Sequence, residues 1–237
     1  MAKSIEESNK KLQDLCLEIV SDFISCAVKS GIIKREEAKD PKKVLTKLAK
    51  SSTYNQDFPD AAGAGSDGIW LGENIRKSVD DLKSVDDPIF MDGSGLRKIL
   101  FHEFTHILQI ANLNKENNGE MFTLYKNSAN STMGKGFYSC LQEIAASLAE
   151  QHLWSSLNNK NDKVDLSKHY YAHEIKLGLD LLKSIDMTET DLIRATIIKP
   201  ELFEIIGIRY NEKTKKNFAD FLKSIDEKLL LKHTQDT

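Results

Sequence analysis

The chain has 237 residues, of which 40% are hydrophobic and 29% are charged, and its formal net charge is −3. This balance is typical of a soluble globular protein and argues against a disordered or membrane chain, and a chain of this length can bury a core without disulfides. The lysines are scattered among acids without a basic stripe, and no apolar run reaches 18 residues. We therefore expect neither a nucleic-acid nor a membrane partner.

The N-terminal residues and the cysteines predict the cellular compartment of the protein. The first residues, MAKSIEESNKKLQ, are polar and acidic, whereas a secretory signal has a basic end followed by an apolar run. Cys16, Cys26 and Cys140 form no CxxC pair, which favours a reducing compartment. We predict a chain that is mature from Met1 and cytoplasmic as synthesised, and export by a route without a cleaved signal stays open.

Two helices are predicted in the N-terminal part of the chain. Apolar residues from Leu12 to Ile24 recur at threes and fours, which is the spacing of one buried helix face. Asp40 followed by Pro41 predicts the start of the second helix. Residues 51–68 contain glycines, a proline and turn formers without periodicity, so they are predicted to form a mobile loop.

The rest of the chain is predicted to contain a small sheet and then helices. Runs rich in β-branched and aromatic residues predict strands at 69–75, IWLGENI, and at 88–91, PIFM. A helix is predicted from Gly95 onward, and residues 114–135 are predicted to be largely loop. Apolar periodicity predicts the remaining helices, at 137–158, 166–185, 188–197 and 215–231. These elements together predict a mainly helical α+β protein.

The segment FHEFTHILQ, residues 101–109, places His102 and His106 four residues apart, with Glu103 directly after the first histidine. On a helix, residues four apart lie one turn above each other, so both imidazoles can reach one ion. Zinc binds neutral imidazole and leaves a position for water, whose proton a neighbouring carboxylate can take. The HExxH pattern encodes this chemistry. The alternative is a pair of hydrogen-bonded histidines on a partly buried helix.

A second pair of histidines has the same spacing in HYYAH, residues 169–173. This pair has no glutamate after the first histidine, and Lys168 lies beside it. We therefore interpret His169 and His173 as polar helix positions near a cleft rather than as metal ligands.

The HExxH segment resembles the zincin metallopeptidases, in which this helix supplies two zinc ligands and the general base. The resemblance covers about residues 96–150. The extended motif of the metzincin branch is absent, because Gln109 and Asn112 occupy the places of its glycine and its third histidine.

The gluzincin branch instead takes its third zinc ligand from a glutamate on a later helix. QEIAASLAE, residues 142–150, is similar to that segment, so the resemblance implies Glu143 as the third ligand. Helical geometry supports this choice, because Glu143, Ser147 and Glu150 share one face. Glu150 and Glu120 are the alternative ligands.

One position departs from the best-known gluzincins. Their aspartate four residues after the ligand glutamate supports a ligand histidine, and this chain has Ser147 there. Such supporting residues orient the imidazole. Ser147, Glu150 or another residue must take this role.

The resemblance also implies an architecture. It predicts one zincin-like domain over residues 1–237, with a HExxH helix packed under a small sheet. Its parts would be N-terminal helices at 1–50, a catalytic core at 69–158 and C-terminal helices at 166–237. IWLGENI is the predicted edge strand that pairs with an extended substrate.

The function implied by the resemblance is a zinc-dependent metallopeptidase that hydrolyses peptide bonds of a protein or peptide substrate, with Glu103 activating a zinc-bound water. Tyr210 and His173 are the predicted oxyanion-stabilising residues, and Tyr170 and Tyr171 are also available. One alternative is a catalytically inactive zincin-fold interaction protein. Another is an injected effector or toxin protease that acts on a host protein, since the lysine- and asparagine-rich composition fits an AT-rich bacterial genome.

Overall fold

The fold is taken from a computed structural model, which describes residues 4–59, 61–82, 84–86, 95–116, 119–133, 138–158 and 172–235. The helices are α1 Ile5–Lys29, a 3-10 helix Arg35–Glu37, α2 Lys39–Ala49, α3 Glu73–Asp80, α4 Leu96–Leu113, α5 Glu120–Met133, α6 Cys140–Asn158, α7 Ala172–Ile185, α8 Glu189–Ile197, α9 Leu202–Thr214 and α10 Phe218–Gln235. The strands are β1 Thr53–Asn55, β2 Ala62–Gly65 and β3 Gly68–Gly72. The predicted mainly helical α+β class is confirmed. No helix within the described ranges is long and apolar enough to cross a membrane.

The chain divides into two compact units. The first consists of residues 1–111 and 149–162, and the second of residues 112–148 and 163–237. Helices α4 and α6 each contribute residues to both units. The single zincin-like domain stays a prediction.

Helix α1 supports the histidine helix in the first unit. It begins at a capping box in which the Ser4 hydroxyl accepts from the Glu7 amide and the Glu7 carboxylate accepts from the Ser4 amide. Its buried Phe23 ring lies edge-on to Phe101 and Phe104 of α4, with ring centroids 5.8 and 5.7 Å apart. Helix α1 also contacts β1, and the sheet and residues 96–111 of the histidine helix belong to the first unit.

The sheet is mixed and has the order β1-β3-β2, with β1 parallel and β2 antiparallel to β3. The prediction of a loop over residues 51–68 was therefore wrong, because β1 and β2 lie within it. Gly63 pairs with Trp70, and a β-carbon at Gly63 would lie 2.3 Å from the Trp70 ring. The glycines that suggested a loop instead let a strand pass under a large aromatic side chain.

The predicted strand IWLGENI is shorter than expected. Strand β3 ends at Gly72, and Glu73 begins α3, where it pairs with Arg76 one turn later at 2.5 Å. Strand β3 is also the central strand, so the prediction that it offers a free edge to substrate was wrong. The edges of the described sheet are β1 and β2.

The prediction of a largely irregular segment at 114–135 was also wrong, because α5 occupies most of it. The buried side of α5 includes Phe122 and Tyr125, and the Tyr125 ring stacks on Phe203 of α9 with centroids 4.0 Å apart. Polar residues interrupt the apolar periodicity of this segment, so the sequence did not predict a helix there. Helix α9 had no predicted counterpart.

The other helix predictions are confirmed where the structure describes them. Helices α1, α2, α4, α6, α8 and α10 fall at the predicted positions, and α7 matches the predicted helix from residue 172 onward. The strand predicted at 88–91 and the beginning of the helix predicted at 166–185 lie outside the described residues.

Candidate metal centre

The two histidines of the HExxH motif lie on one side of α4. The core-facing Phe101 and Phe104 side chains are fully buried, and His102 follows Phe101 by about 100° around the helix axis. His106 is 2% exposed, and the His102 side chain is 12% exposed. Their Nε2 atoms are 3.0 Å apart, and the ring planes cross at 77°. The predicted alignment of the two imidazoles therefore exists in the folded chain.

Glu143 lies in the first turn of α6. The start of this helix is fixed by Ser139, whose amide donates to the Gln142 side chain and whose carbonyl accepts from the Glu143 amide at 3.0 Å. His102, His106 and Glu143 each offer a ligand atom, and these atoms all lie within 4.8 Å of one another. The structure thus brings together the three residues that the sequence suggested as ligands.

The side chain of Gln109 contacts His106, and this contact was not predicted from the sequence. Its side-chain oxygen lies 2.7 Å from His106 Nδ1, and both residues are buried. An amide oxygen can only accept a hydrogen bond, so Nδ1 carries the proton and Nε2 keeps its lone pair. The signal was the spacing of three residues on one helix, which places the two side chains on the same face.

Glu150 lies behind His102. Its Oε2 atom is 3.4 Å from His102 Nδ1, and its Oε1 atom is 3.3 Å from Lys98 Nζ. Glu150 therefore approaches the imidazole on the side away from the Nε2 atom that faces His106. This position suits a supporting residue rather than the alternative ligand. The other alternative ligand, Glu120, is exposed at the start of α5.

Three carboxylates are buried on these two helices. Glu103, Glu143 and Glu150 are 6%, 5% and 6% exposed, respectively. Burying carboxylates is unfavourable unless positive charge or hydrogen bonds compensate. Lys98 supplies positive charge to Glu150, and a divalent cation held by His102, His106 and Glu143 would supply more.

Asn112 occupies the place of the third histidine of the metzincins and has a structural role here. Its Nδ2 atom donates to the carbonyls of Ala195 and Thr196 at 3.1 and 3.0 Å. These carbonyls belong to α8, so Asn112 joins the C-terminal turn of α4 to that helix. At the position of the third metzincin histidine, this chain thus has an asparagine that makes structural hydrogen bonds.

The predicted oxyanion-stabilising residues lie on later helices. Tyr210 on α9 is 7% exposed, and its ring packs against Phe221 and Phe218 with centroids 4.9 and 5.7 Å away. His173 is exposed in the first turn of α7. The catalytic roles of Tyr210, His173 and Glu103 stay predictions. His169, Tyr170 and Tyr171 lie outside the described residues.

Comparisons of the chain with protein-family models, with curated proteins and with solved structures found no match. The folded chain is a mainly helical α+β protein with a buried His–His–Glu group that could hold a metal ion.

Proposed function

We propose that this protein is a zinc-dependent metallopeptidase that hydrolyses peptide bonds of a protein or peptide substrate. The observation that carries the proposal is the convergence of the two imidazoles. The Nε2 atoms of His102 and His106 lie 3.0 Å apart, and the ligand atoms of these histidines and of Glu143 all lie within 4.8 Å of one another. When both imidazoles carry their proton on Nδ1, their Nε2 lone pairs repel each other at this distance, and a cation bound to both removes the repulsion.

The donor set favours zinc. Two imidazole nitrogens and one carboxylate, with a fourth position left open, are the ligands of a catalytic zinc site. Zinc–nitrogen bonds of about 2.0–2.1 Å in a tetrahedral arrangement place two ligand atoms about 3.3 Å apart. The separation of 3.0 Å between the Nε2 atoms is close to this value. When bound, the metal supplies Lewis acidity to water and to the carbonyl group of a substrate.

Glu103 is the residue of this chain that we assign to proton transfer. It follows His102 directly and lies about 100° around α4 from it, beside the ligands rather than among them. Its burial keeps bulk water from the carboxylate. Glu103 accepts a proton from the attacking water and passes it to the leaving amine.

The test compares the wild-type protein with Glu103→Gln. We expect about one zinc per chain in both proteins by elemental analysis, with removal by a chelator. New peptide termini should form in a digest of unfolded proteins with the wild type, and far more slowly with Glu103→Gln. General-base catalysis contributes about 10²–10⁴-fold, so cleavage by Glu103→Gln should fall by that factor.

Three results would contradict parts of this proposal. If the wild type stays free of zinc after incubation with the metal, the metal site is wrong. If Glu103→Gln cleaves as fast as the wild type, the assigned base is wrong. A protein that holds zinc but yields no new termini from any substrate is the inactive zincin-fold alternative.

A further inference from the structure

Two oppositely charged residues, Lys98 and Glu150, lie on the Nδ1 side of the His102 imidazole. Lys98 and His102 are four residues apart on α4, so they lie one above the other on the same face. Glu150 of α6 reaches both of them, with one carboxylate oxygen 3.3 Å from the ammonium and the other 3.4 Å from Nδ1. The carboxylate side chain is 8% exposed, so solvent screens these contacts weakly.

The two histidines are supported in different ways. His106 contacts the neutral amide of Gln109, which comes from the same helix and lies 2.7 Å away. His102 contacts a charged group from a different helix. A carboxylate that accepts from the outer nitrogen of a ligand histidine fixes the tautomer and makes the inner nitrogen a stronger donor to a metal.

Ser147 does not supply this support. Its side chain is fully buried in α6, and its hydroxyl has no hydrogen-bond partner among the residues that the structure describes. Glu150, three residues later, is the α6 side chain that contacts the imidazole. Of the possibilities that the sequence left open, which were Ser147, Glu150 or another residue, this contact favours Glu150.

We propose that Glu150 is the positioning residue of His102 and that Lys98 holds Glu150 in this role. Glu150 accepts the Nδ1 proton, which leaves the Nε2 lone pair of His102 directed toward His106 and Glu143. Lys98 holds the second carboxylate oxygen, so Glu150 stays behind the imidazole instead of competing for the cation. The inference rests on the proposed metal site but concerns residues outside the three ligands.

The tautomer of His102 is the direct test. Long-range ¹H–¹⁵N NMR spectra distinguish a proton on Nδ1 from one on Nε2, in both the metal-free and the zinc-loaded protein. We expect Nδ1–H for His102 in the wild type and in Glu150→Gln, whose amide oxygen can still accept. In metal-free Glu150→Ala the proton should distribute between the two nitrogens.

Zinc affinity is the second measurement, by competition with a chelator. Loss of a supporting partner lowers metal affinity about 10–100-fold, which we expect for Glu150→Ala. Glu150→Gln should lose less, since it removes the charge but keeps the acceptor. The double variant Lys98→Met/Glu150→Ala should bind zinc as weakly as Glu150→Ala while avoiding an unpaired lysine that could unfold the single variant.

Asp22→Ala is the matched control. Asp22 pairs with Arg97, the residue next to Lys98, and does so from α1. Removing this carboxylate weakens an ion pair in the same turn of α4 without touching His102. We expect a lower melting temperature with an unchanged tautomer and unchanged zinc affinity.

The outcomes separate the two proposals. A wild-type tautomer and wild-type zinc affinity in Glu150→Ala would overturn the positioning role while the metallopeptidase proposal stands. A wild-type protein that binds no zinc would overturn the metallopeptidase proposal, and the tautomer in the metal-free variants would still decide whether Glu150 fixes His102. An equal loss of affinity in Asp22→Ala would show a general effect of destabilisation and would also overturn the positioning role.

Discussion

Two acidic sites of this protein differ in what surrounds the carboxylate: one is the half-buried Asp226, and the other is the group of buried glutamates at the candidate metal centre. In the second unit, Asp226 on α10 accepts from the amide of Cys140 at 2.8 Å and from the hydroxyl of Ser128. Burial raises the pKa of the Asp226 carboxyl, and the hydrogen bonds from Ser128 and Cys140 oppose this shift. The acid thereby anchors the N-terminal end of α6, a structural role.

The candidate metal centre groups acids with histidines instead. Glu143 has a ligand atom within 4.8 Å of those of both His102 and His106. An ordinary structural acid is satisfied by a few donors, as Asp226 is, whereas here the metal-binding atoms of three side chains face one point. Partial burial of a carboxylate therefore does not by itself mark a functional site, whereas the convergence of a carboxylate with two imidazoles does.

The largest effect is expected from removing a ligand. Glu143→Ala should lower zinc affinity by more than the factor of about 100 that marks the upper range for a supporting residue, because a direct metal bond is lost. Peptidase activity should disappear with the metal. Chelator competition and elemental analysis check the prediction, and unchanged zinc content would remove Glu143 from the site.

The next largest effect should come from Gln109→Leu. This variant keeps the side-chain size but leaves His106 Nδ1 without the amide oxygen that lies 2.7 Å from it. Zinc affinity should fall about 10-fold or more, with cleavage reduced at limiting zinc. Gln109→Glu restores an acceptor and should recover most of the affinity. Equal affinity of the leucine variant and the wild type would contradict the supporting role.

Asn112→Ala tests a structural contact near the candidate metal centre, the hydrogen bonds from Asn112 to α8. The variant leaves the carbonyls of Ala195 and Thr196 without their side-chain donor in the interior. The free energy of unfolding should fall by about 1–3 kcal/mol. Denaturant unfolding measures this loss, and zinc affinity of the folded variant should be unchanged. A large loss of zinc affinity would mean that Asn112 serves the metal centre after all.

The smallest effect concerns the pH dependence of Asp226→Asn. Because the folded-state pKa of Asp226 is raised above its ordinary value of 3.8, the folded protein binds this proton more tightly than the unfolded chain. The resulting stabilisation is complete below that value and is lost as the pH rises through the raised pKa. The stability of the wild type relative to Asp226→Asn should therefore decrease over this range in denaturant titrations at several pH values. A difference that rises with pH would contradict the shift.

Much of the helical fold was predictable because helices depend on neighbours in sequence. The stripe from Leu12 to Ile24, the start at Asp40 and Pro41 and the HExxH spacing all reflect the periodicity of one helix. The strands at 53–65 were not predictable in this way. Their pairing depends on Trp70 and on small residues that accept its ring, which only the folded chain brings together.

The same division applies to the candidate site. The spacing of the sequence was enough to place His102, Glu103 and His106 on one helix, because backbone hydrogen bonds fix the relation of residues four apart. Resemblance to a family suggested Glu143. The contact of Glu150 with His102 and Lys98 could be seen only in the folded chain, because contacts between α4 and α6 depend on how two distant segments pack and not on any local spacing.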